Sequence, residues 1–237
     1  MARIPSQLEI LDCRRCDRLV SYREQVAHDK VRRFRDKEYW GKPVPSLGEL
    51  DARLLVIGLA PAAHGGNRTG RVFTGDRSGD WLYRAMHRFG FANQPQSVDA
   101  GDGLQLIDCY VTAAVHCAPP DNKPLPEEFA NCQPYLLDEM KQLRRVRVVV
   151  PLGWIAFKAY FAARKALGWT NPWPLPVFGH GTLTALDDSV TVISSFHPSQ
   201  QNTQTGRLTE AMLDDVFRQA RECVETQVTR KGEKFPS

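Results

Sequence analysis

Apolar runs and amphipathic stretches alternate along this chain. The first run, residues 54–57, is continuous and predicts a buried strand. Three further runs predict strands over residues 107–115, 146–152 and 190–196. Because helical patterns separate these strands, the sequence predicts an α/β protein with a mostly parallel sheet between helices.

The stretches between the apolar runs have helical spacing. They predict helices over residues 7–13, 20–35, 80–88, 154–167 and 208 to about 224. A further helix over residues 127–143 contains Pro134, which is expected to kink or split it. Residues 38–47 are expected to form an ordered loop, and residues 229–237 a disordered tail.

Composition limits the function classes. The 237 residues suffice for one well-buried domain, and neither a repeat nor a linker divides them, so we expect a single domain over residues 1–237. No run of about 18 apolar residues predicts a membrane span, and the N-terminus has no apolar signal core, so we expect a cytoplasmic protein. The net charge of +4, from 31 basic and 27 acidic residues, is compatible with a polyanionic partner.

A loop rich in glycine and proline follows the first strand, from Gly58 to Asp76. It contains two arginines, an asparagine, a histidine and an aromatic ring, and the next helix begins near Ser78. A strand end, a glycine-rich loop and a helix start together form the usual ligand crevice of an open α/β sheet. By itself the loop would also suit the phosphates of a nucleotide cofactor.

Six cysteines in a chain without a secretory signal favour free thiols or metal ligands over disulfides. Cys13 and Cys16 have the spacing of metal ligands, and Cys117 and Cys132 supply two more thiols. Four thiolates suit either zinc or an iron–sulfur cluster, and their spacing does not separate the two. Alternatively, Cys117 and Cys132 are small core residues. The two remaining cysteines fit structural positions.

Three sequence blocks resemble a known family: Gly58-Leu59-Ala60-Pro61, Asn122 shortly after Cys117, and His197-Pro198-Ser199. With the four cysteines they resemble the uracil-DNA glycosylase superfamily, in its iron–sulfur branch, and the fifth family (type B) more than the fourth. The resemblance covers residues 9–224. It implies a three-layer α/β/α fold with a short, mostly parallel central sheet. It also implies a [4Fe-4S] cluster held by Cys13, Cys16, Cys117 and Cys132, the first two of which lie in an N-terminal segment over residues 1–50.

The activity implied by this resemblance is DNA repair. Such an enzyme flips a deaminated base out of DNA and hydrolyses its N-glycosidic bond, leaving an abasic site. We expect uracil as a substrate, together with hypoxanthine and other damaged bases, in double- or single-stranded DNA. No lysine in the motifs is placed as a Schiff-base nucleophile, so the sequence predicts a monofunctional glycosylase. We expect it to act as a monomer.

The first motif departs from most of the superfamily, whose members hold the attacking water there with a carboxylate or an asparagine. Here Leu59 and Ala60 cannot form hydrogen bonds through their side chains. The resemblance implies that Asn122 holds the water instead, with Asp76 as the second polar candidate. The alternatives are a simple turn residue for Asn122 and a helix N-cap for Asp76.

The remaining site residues complete a base pocket. His197, just beyond a strand, is expected to donate to a base carbonyl and stabilise the leaving group, although it could instead be packed for structure. Phe73 is expected to stack on the extruded base. Backbone N–H groups near Ala60 supply further donors. The expected substrate-binding residues are Gly58, Leu59, Ala60, Ala62 and Phe73.

Polar and basic residues on the motif loops are expected to contact DNA. They are Arg68, Arg71, Ser199, Asn202, Thr205 and Arg207. Two other functions remain open at this point. Without a water-holding side chain in the first motif, the protein could be a non-catalytic module that binds damaged DNA around a structural metal. A zinc-containing hydrolase with an unrelated substrate is the other alternative.

Overall fold

The computed structural model describes residues 9–229. Within that range the strands form one six-stranded sheet. They are β1 (Leu47–Gly48), β2 (Leu54–Gly58), β3 (Cys109–Ala113), β4 (Val148–Pro151), β5 (Leu183–Ala185) and β6 (Thr191–Ile193). All four strands predicted from the apolar runs are present, each within its predicted boundaries except for one added residue at the end of β2.

The sheet has the order β1-β3-β2-β4-β6-β5. The four inner strands are parallel, and β2 lies between β3 and β4. The outer strands β1 and β5 are antiparallel to their neighbours. Both outer strands are too short to produce a hydrophobic period, which explains why the sequence did not predict them.

Helices connect the strands. They are α1 (Asp17–Asp29), α2 (Gly66–Thr69), α3 (Arg77–Arg88), α4 (Pro126–Gln142), α5 (Trp154–Ala166), α6 (Gln200–Gln204) and α7 (Glu210–Thr229). Two short 3₁₀ turns span Arg32–Phe34 and Pro120–Asn122. The helix predicted over residues 7–13 lies partly outside the described residues, of which 9–11 are helical. The predicted tail lies outside them except for its first residue.

Alternating side chains of the inner strands point to opposite faces of the sheet. On one face, Leu54 and Val56 of β2 pack in a core with α3 and α7. On the other face, Leu55 and Ile57 pack in a second core with α4 and α5. Because β2 is buried on both faces, its sequence is a continuous apolar run and not an alternating one. The three-layer α/β/α fold is confirmed.

Two helix predictions are corrected by the structure. The helix predicted over residues 20–35 begins at Asp17 and ends at Asp29, because Lys30 adopts a φ of 54° that an α-helix cannot continue. Helix α4 runs unbroken through Pro134, so the predicted split is wrong. Its second half is held by buried Leu136, Met140 and Glu139, whose carboxylate accepts hydrogen bonds from three hydroxyl groups.

A third, smaller core joins distant parts of the chain. Its buried residues come from the N-terminal segment, the segment after β3 and helix α4. They are Ile10, Leu19, Val115, Cys117, Cys132 and Tyr135. This core fixes the N-terminal segment to the sheet. Among the described residues, the structure contains no helix of the length and hydrophobicity needed to cross a bilayer.

Candidate active site

A cavity of about 540 Å³ lies where the inner parallel strands end. Residues 59–62 follow β2, Ala113 ends β3, Ile155 follows β4, and His197 follows β6. Carboxyl ends of parallel strands meet at one edge of the sheet, which is the usual ligand site of an open α/β fold. The cavity is also lined by Pro61, Val72, Phe73, Asp76, Arg77, Ser78, Asn122, Ser199, Gln200 and Gln201.

One wall of the cavity depends on Gly58. A Cβ at this position would lie 2.6 Å from Cζ of Phe73, so only glycine lets the ring lie against the end of β2. Phe73 has a φ of 50°, and its ring centroid is 5.9 Å from that of His197 at an interplanar angle of 32°. Gly58 therefore supports the pocket from behind and does not line it, whereas Phe73 forms an aromatic wall.

The loop after β2 presents backbone donors. The carbonyl oxygens of Gly58 and Leu59 accept hydrogen bonds from Ala114 and Val115, which tie the loop to the segment after β3. Within residues 9–229, the N–H groups of Ala60 and Ala62 have no acceptor. Both residues line the cavity together with Leu59. The loop thus combines an apolar side-chain surface with free N–H groups.

His197 brings an imidazole to the cavity without a partner. Among the described residues, its ring has no hydrogen-bond acceptor or donor, and burial lowers its pKa to about 4. The ring is therefore neutral at pH 7 and keeps one N–H free to donate. His180 is different, because it accepts from the N–H of Phe196 and donates to the Met212 carbonyl. His180 is the structural histidine of this region.

Asn122 lies in the 3₁₀ turn that spans Pro120–Asn122. Asp121 and Asn122 have φ values of 54° and 56°, which are typical of asparagine and aspartate in turns. The Asn122 side chain is exposed, lines the cavity and has no hydrogen-bond partner in the described part of the chain. The turn that the sequence predicted as the alternative role of Asn122 is therefore present. It leaves the side-chain amide without a partner among the described residues.

Asp76 is the N-cap of α3, as the structural alternative predicted. Its Oδ1 accepts from the Gly79 N–H at 3.1 Å. A Cβ on Gly65 would lie 2.1 Å from Oδ2, so the carboxylate fits closely against that loop. Burial raises the pKa of Asp76, and hydrogen bonds from backbone N–H groups oppose this shift. The same carboxylate lines the cavity, which is consistent with a second role.

The loop after His197 is organised by its own hydrogen bonds. Ser199 caps α6 by accepting from the Asn202 N–H, and it lines the cavity. The Asn202 side-chain amide donates to the His197 carbonyl oxygen at 2.9 Å. Asn202 is therefore placed to hold the histidine backbone, a role that the sequence did not suggest.

The two residues that follow in this loop face solvent. Thr205 donates to the Gln201 carbonyl oxygen, and Arg207 lies over the Phe196 ring with its guanidinium carbon 4.6 Å from the ring centroid. Both are exposed. Their positions leave Thr205 and Arg207 available to a DNA backbone.

Arg71 contradicts its sequence prediction. Its side chain is buried and donates to Thr74, Ser97 and Asp102, the last at 2.7 Å. A guanidinium enclosed by these acceptors has no route to a DNA phosphate. The prediction of a phosphate contact is therefore corrected to a structural role in fixing the motif loop. The partners Ser97 and Asp102 lie 26 and 31 residues away in sequence, which the local pattern could not reveal.

Arg68 is half-buried, and most of its donors face the protein. It donates to the carbonyl oxygens of His64 and Gly75, and its guanidinium carbon is 4.0 Å from the centroid of the Phe34 ring. It lines a larger groove of about 1030 Å³ beside the cavity. Both pockets share Asp76, Arg77 and Gln200, so the groove continues from the cavity mouth.

Several exposed residues of the cavity lining were not predicted from the sequence, among them Ile155, Arg77 and Gln200. Ile155 lies in the first turn of α5, directly after β4. The rule that ligands bind at the carboxyl ends of parallel strands would have indicated this turn. Arg77 and Gln200 begin α3 and α6, and no motif in the sequence marks them.

The four thiols of Cys13, Cys16, Cys117 and Cys132 gather in the third core. Burial raises the pKa of Cys117 to about 11 and raises that of Cys132 as well. Within residues 9–229, no group of three or more histidine, cysteine, aspartate or glutamate side chains is arranged to hold a single metal ion. The four converging thiols also match the number of cysteine ligands that an iron–sulfur group would take.

Nitrogen donors surround these thiols. The His116 N–H donates to Cys132 Sγ at 3.3 Å, and Asn131 donates to Cys16 Sγ at 3.5 Å. Arg23 donates to Cys117 Sγ at 2.9 Å while almost fully buried. Donors of this kind stabilise thiolates and clusters with a net negative charge. The donor set therefore fits an iron–sulfur group.

Comparison with known proteins agrees with this geometry. The model of the uracil DNA glycosylase superfamily matches residues 45–221. A type-5 uracil-DNA glycosylase of Mycobacterium tuberculosis (strain CDC 1551 / Oshkosh) is 52% identical over 210 residues, which cover 88% of this chain and 77% of that protein. The type-5 enzyme of Mycobacterium leprae is 50% identical, covering 90% and 92%. That of Thermus thermophilus is 47% identical, covering 88% and 92%.

Proposed function

Because this chain belongs to the uracil-DNA glycosylase superfamily and groups with its type-5 enzymes, we propose that it excises uracil, hypoxanthine and related damaged bases from DNA. The family makes it a DNA N-glycosylase, a hydrolase that acts on DNA. The breadth of bases and the role of each residue are our proposal. The observation that carries it is the convergence of His197, Asn122 and Phe73, without polar partners among the described residues, on one cavity.

The reaction places charge at two positions. Breaking the bond between C1′ and the base nitrogen leaves positive charge on the sugar and negative charge on the base. The oxygen of a water molecule then bonds to C1′, one of its protons is released, and the base takes up a proton. The site must therefore hold the base anion and the water, each with groups fixed before the reaction.

His197 stabilises the departing base. Its low pKa keeps the imidazole neutral, and the one N–H of the neutral ring donates a hydrogen bond to a base oxygen. The free N–H groups of Ala60 and Ala62 add fixed donors to the same cavity. The Phe73 ring, next to His197, offers the flat surface on which an extruded base stacks.

Asn122 orients the water. Its amide oxygen can accept a hydrogen bond from the water. An amide is not basic enough to take up the proton at neutral pH. Orientation is sufficient because the positively charged sugar is highly reactive towards water. The Asp76 carboxylate, on the same cavity, stabilises the positive sugar whenever it is ionised.

The apolar first motif accounts for a broad choice of bases. Leu59 and Ala60 line the cavity without side-chain hydrogen bonds. A site built from hydrogen-bonding side chains rejects bases that lack the matching group, whereas an apolar wall discriminates weakly. The cavity of about 540 Å³ also has room for a purine. These features support hypoxanthine as a substrate besides uracil.

The four thiols would hold a [4Fe-4S] cluster. Cys13 and Cys16 come from the N-terminal segment, Cys117 follows β3, and Cys132 lies in α4. When bound, the cluster would supply a covalent cross-link between these three segments, and with it folding stability. The cluster would take no part in hydrolysis of the N-glycosidic bond, which the residues that line the cavity carry out. None of these four cysteines, the thiol cluster, lines the cavity, although Ala60 of the cavity lining packs against their core.

DNA would lie across the cavity mouth. Ser199 lines the cavity, the exposed residues Thr205 and Arg207 follow it in sequence, and the adjoining groove contributes Arg77. We expect a monomer that acts on genomic DNA in the cytoplasm, at the nucleoid.

The test is release of the base from synthetic DNA. Duplex and single-stranded oligonucleotides that contain uracil or hypoxanthine are incubated with the protein and then cleaved with alkali. Alkali-labile product with both bases supports the proposal, and product with uracil alone restricts the activity to that base. Tight binding without base release would instead indicate the non-catalytic damage-binding module. Iron analysis and visible absorbance of the purified protein test the cluster separately.

A further inference from the structure

Arg23 has an unusual environment for an arginine. It lies in α1, is 2% exposed, and its closest carboxylate oxygen, Glu24 Oε1, is 3.9 Å from Nη2. A buried guanidinium is costly unless its five N–H groups and its charge find partners. The charge of Arg23 therefore needs a partner besides this loosely paired, half-exposed glutamate.

Two of the three guanidinium nitrogens of Arg23 have acceptors. Nη1 donates to Cys117 Sγ at 2.9 Å, and Nη2 donates to the Cys13 carbonyl oxygen at 3.2 Å. The third nitrogen, Nε, is buried and has no partner among the described residues. Buried donors are almost always paired, so an orphan next to a converging set of thiols indicates an acceptor at that point.

We propose that Arg23 is the cationic hydrogen-bond donor to the iron–sulfur group and sets its reduction potential. This inference rests on the cluster in the proposed function. Nη1 donates to the Cys117 thiolate, and Nε serves the group itself. Reduction adds one electron and makes the group more negative, so a buried cation in contact with it stabilises the reduced form and raises its potential.

Arg23 also connects the thiol cluster to the base cavity. Its backbone carbonyl oxygen accepts from Asn67 Nδ2 at 3.1 Å. Asn67 is fully buried in α2, within the loop between β2 and α3 that forms the cavity wall. One residue therefore contacts a thiol through its side chain and the base-binding loop through its backbone.

The first experiment measures the reduction potential in the iron-loaded, full-length protein. Arg23→Lys keeps the charge but loses Nε and the forked geometry, and Arg23→Met removes the charge. Arg14→Met is the matched control, because Arg14 is exposed, pairs with Glu24, and lies between Cys13 and Cys16 in the sequence. We expect a lower potential in Arg23→Met, a smaller decrease in Arg23→Lys, and little change in Arg14→Met. Unchanged potentials in both Arg23 variants at full iron content would overturn the inference.

The second experiment begins with the wild-type sequence, so its first result does not depend on how well a variant folds. Protein labelled with ¹⁵N-arginine is reduced, and pulsed electron paramagnetic resonance is used to look for nitrogen coupled to the cluster spin. We expect a coupling that Arg14→Met retains and Arg23→Lys lacks. A reduced cluster without arginine coupling refutes the role of Arg23 alone. A purified protein without iron refutes the proposed cluster as well, and iron analysis distinguishes these two results.

Discussion

The base cavity and the thiol cluster use polar groups in opposite ways. In the cavity, the side chains of His197 and Asn122 have no hydrogen-bond partner within the described part of the chain, although hydrogen bonds and turn geometry hold their backbones. Around the thiols, Cys16, Cys117 and Cys132 each accept a hydrogen bond from a protein donor. The cavity keeps its side chains free for a substrate that comes and goes. The thiol cluster is surrounded as a permanent group would be.

This difference separates activity from stability in the molecule. Removing a free cavity side chain removes transition-state contacts but few contacts of the folded protein. Removing a buried thiol leaves donors without acceptors and loosens the core that fixes the N-terminal segment. Substitutions of the free cavity side chains should therefore lower activity with little change in stability. Substitutions of the buried thiols should lower stability.

The largest effect is expected at Cys132. Cys132→Ser should reduce iron from about four atoms per chain to a trace and lower the melting temperature, because a ligand and a core contact are lost together. Iron analysis and calorimetry measure both. Cys223→Ser is the control, since Cys223 lies in α7 outside the thiol cluster. Full iron in Cys132→Ser would remove this residue from the proposed ligand set.

At His197 the comparison predicts a loss of activity at nearly constant stability. His197→Gln should slow base release by roughly 10²–10³-fold, because the donor to the leaving base is lost or displaced. Single-turnover rates on uracil-containing DNA provide the measurement. His180→Gln should behave in the opposite way, with lower stability and a nearly normal rate, because both ring nitrogens of His180 bond the protein. Equal rate losses in both variants would contradict the distinction.

Asn122→Ala should reduce the single-turnover rate by roughly 10²-fold if Asn122 orients the water. Its stability should change little, since the side chain is exposed and has no partner in the described residues. Asp121→Ala controls for strain in the turn, because Asp121 has nearly the same φ. A normal rate in Asn122→Ala, or an equal loss in Asp121→Ala, would argue against the proposed role.

A smaller effect is expected at the rim of the cavity. Trp154 is 49% exposed, stacks on Phe157, and precedes Ile155 of the cavity lining. Trp154→Ala should weaken DNA binding by roughly tenfold, which corresponds to the loss of one aromatic stacking contact, and should leave iron content unchanged. Trp173→Ala is the control, because Trp173 is 95% exposed and lies away from the cavity lining. Equal binding by both variants would exclude Trp154 from the DNA contact.

The smallest effect concerns pH. The pKa of His197 is about 4 in the folded protein and near 6.5 when unfolded, so the unfolded chain binds more protons between these values. Stability should therefore fall as pH decreases from about 6.5 towards 4. Between pH 7 and 5, the wild type should lose about 1–2 kcal/mol more than His197→Gln. Denaturant unfolding at the two pH values measures this difference, and parallel curves would show that His197 is not desolvated.

The sequence predicted the cavity better than the thiol environment. Leu59, Phe73, Asp76, Asn122 and His197 follow strand ends or lie in recognisable motifs, so topology alone brings them to one edge of the sheet. Whether each performs its proposed role stays a prediction. The succession of strand, loop and helix is local in sequence, so the pattern of apolar runs is sufficient to locate the strand ends.

Hydrogen bonds between residues that are far apart in the sequence could not be predicted from the pattern of apolar and polar positions. Arg23 and Cys117 are 94 residues apart, and nothing in a charged helix indicates which arginine will be buried. Arg71 was misplaced for the same reason, because its acceptors Ser97 and Asp102 belong to a distant loop. The outer strands β1 and β5 form only through pairing with their neighbours and carry no period of their own.

The hydrogen bond between Asn202 and the His197 carbonyl has a mechanical consequence. Asn202 belongs to α6, whose start lines the cavity mouth that we propose faces DNA. This hydrogen bond fixes the position of the His197 backbone relative to the helix. A duplex that displaced α6 on binding would therefore displace the imidazole as well.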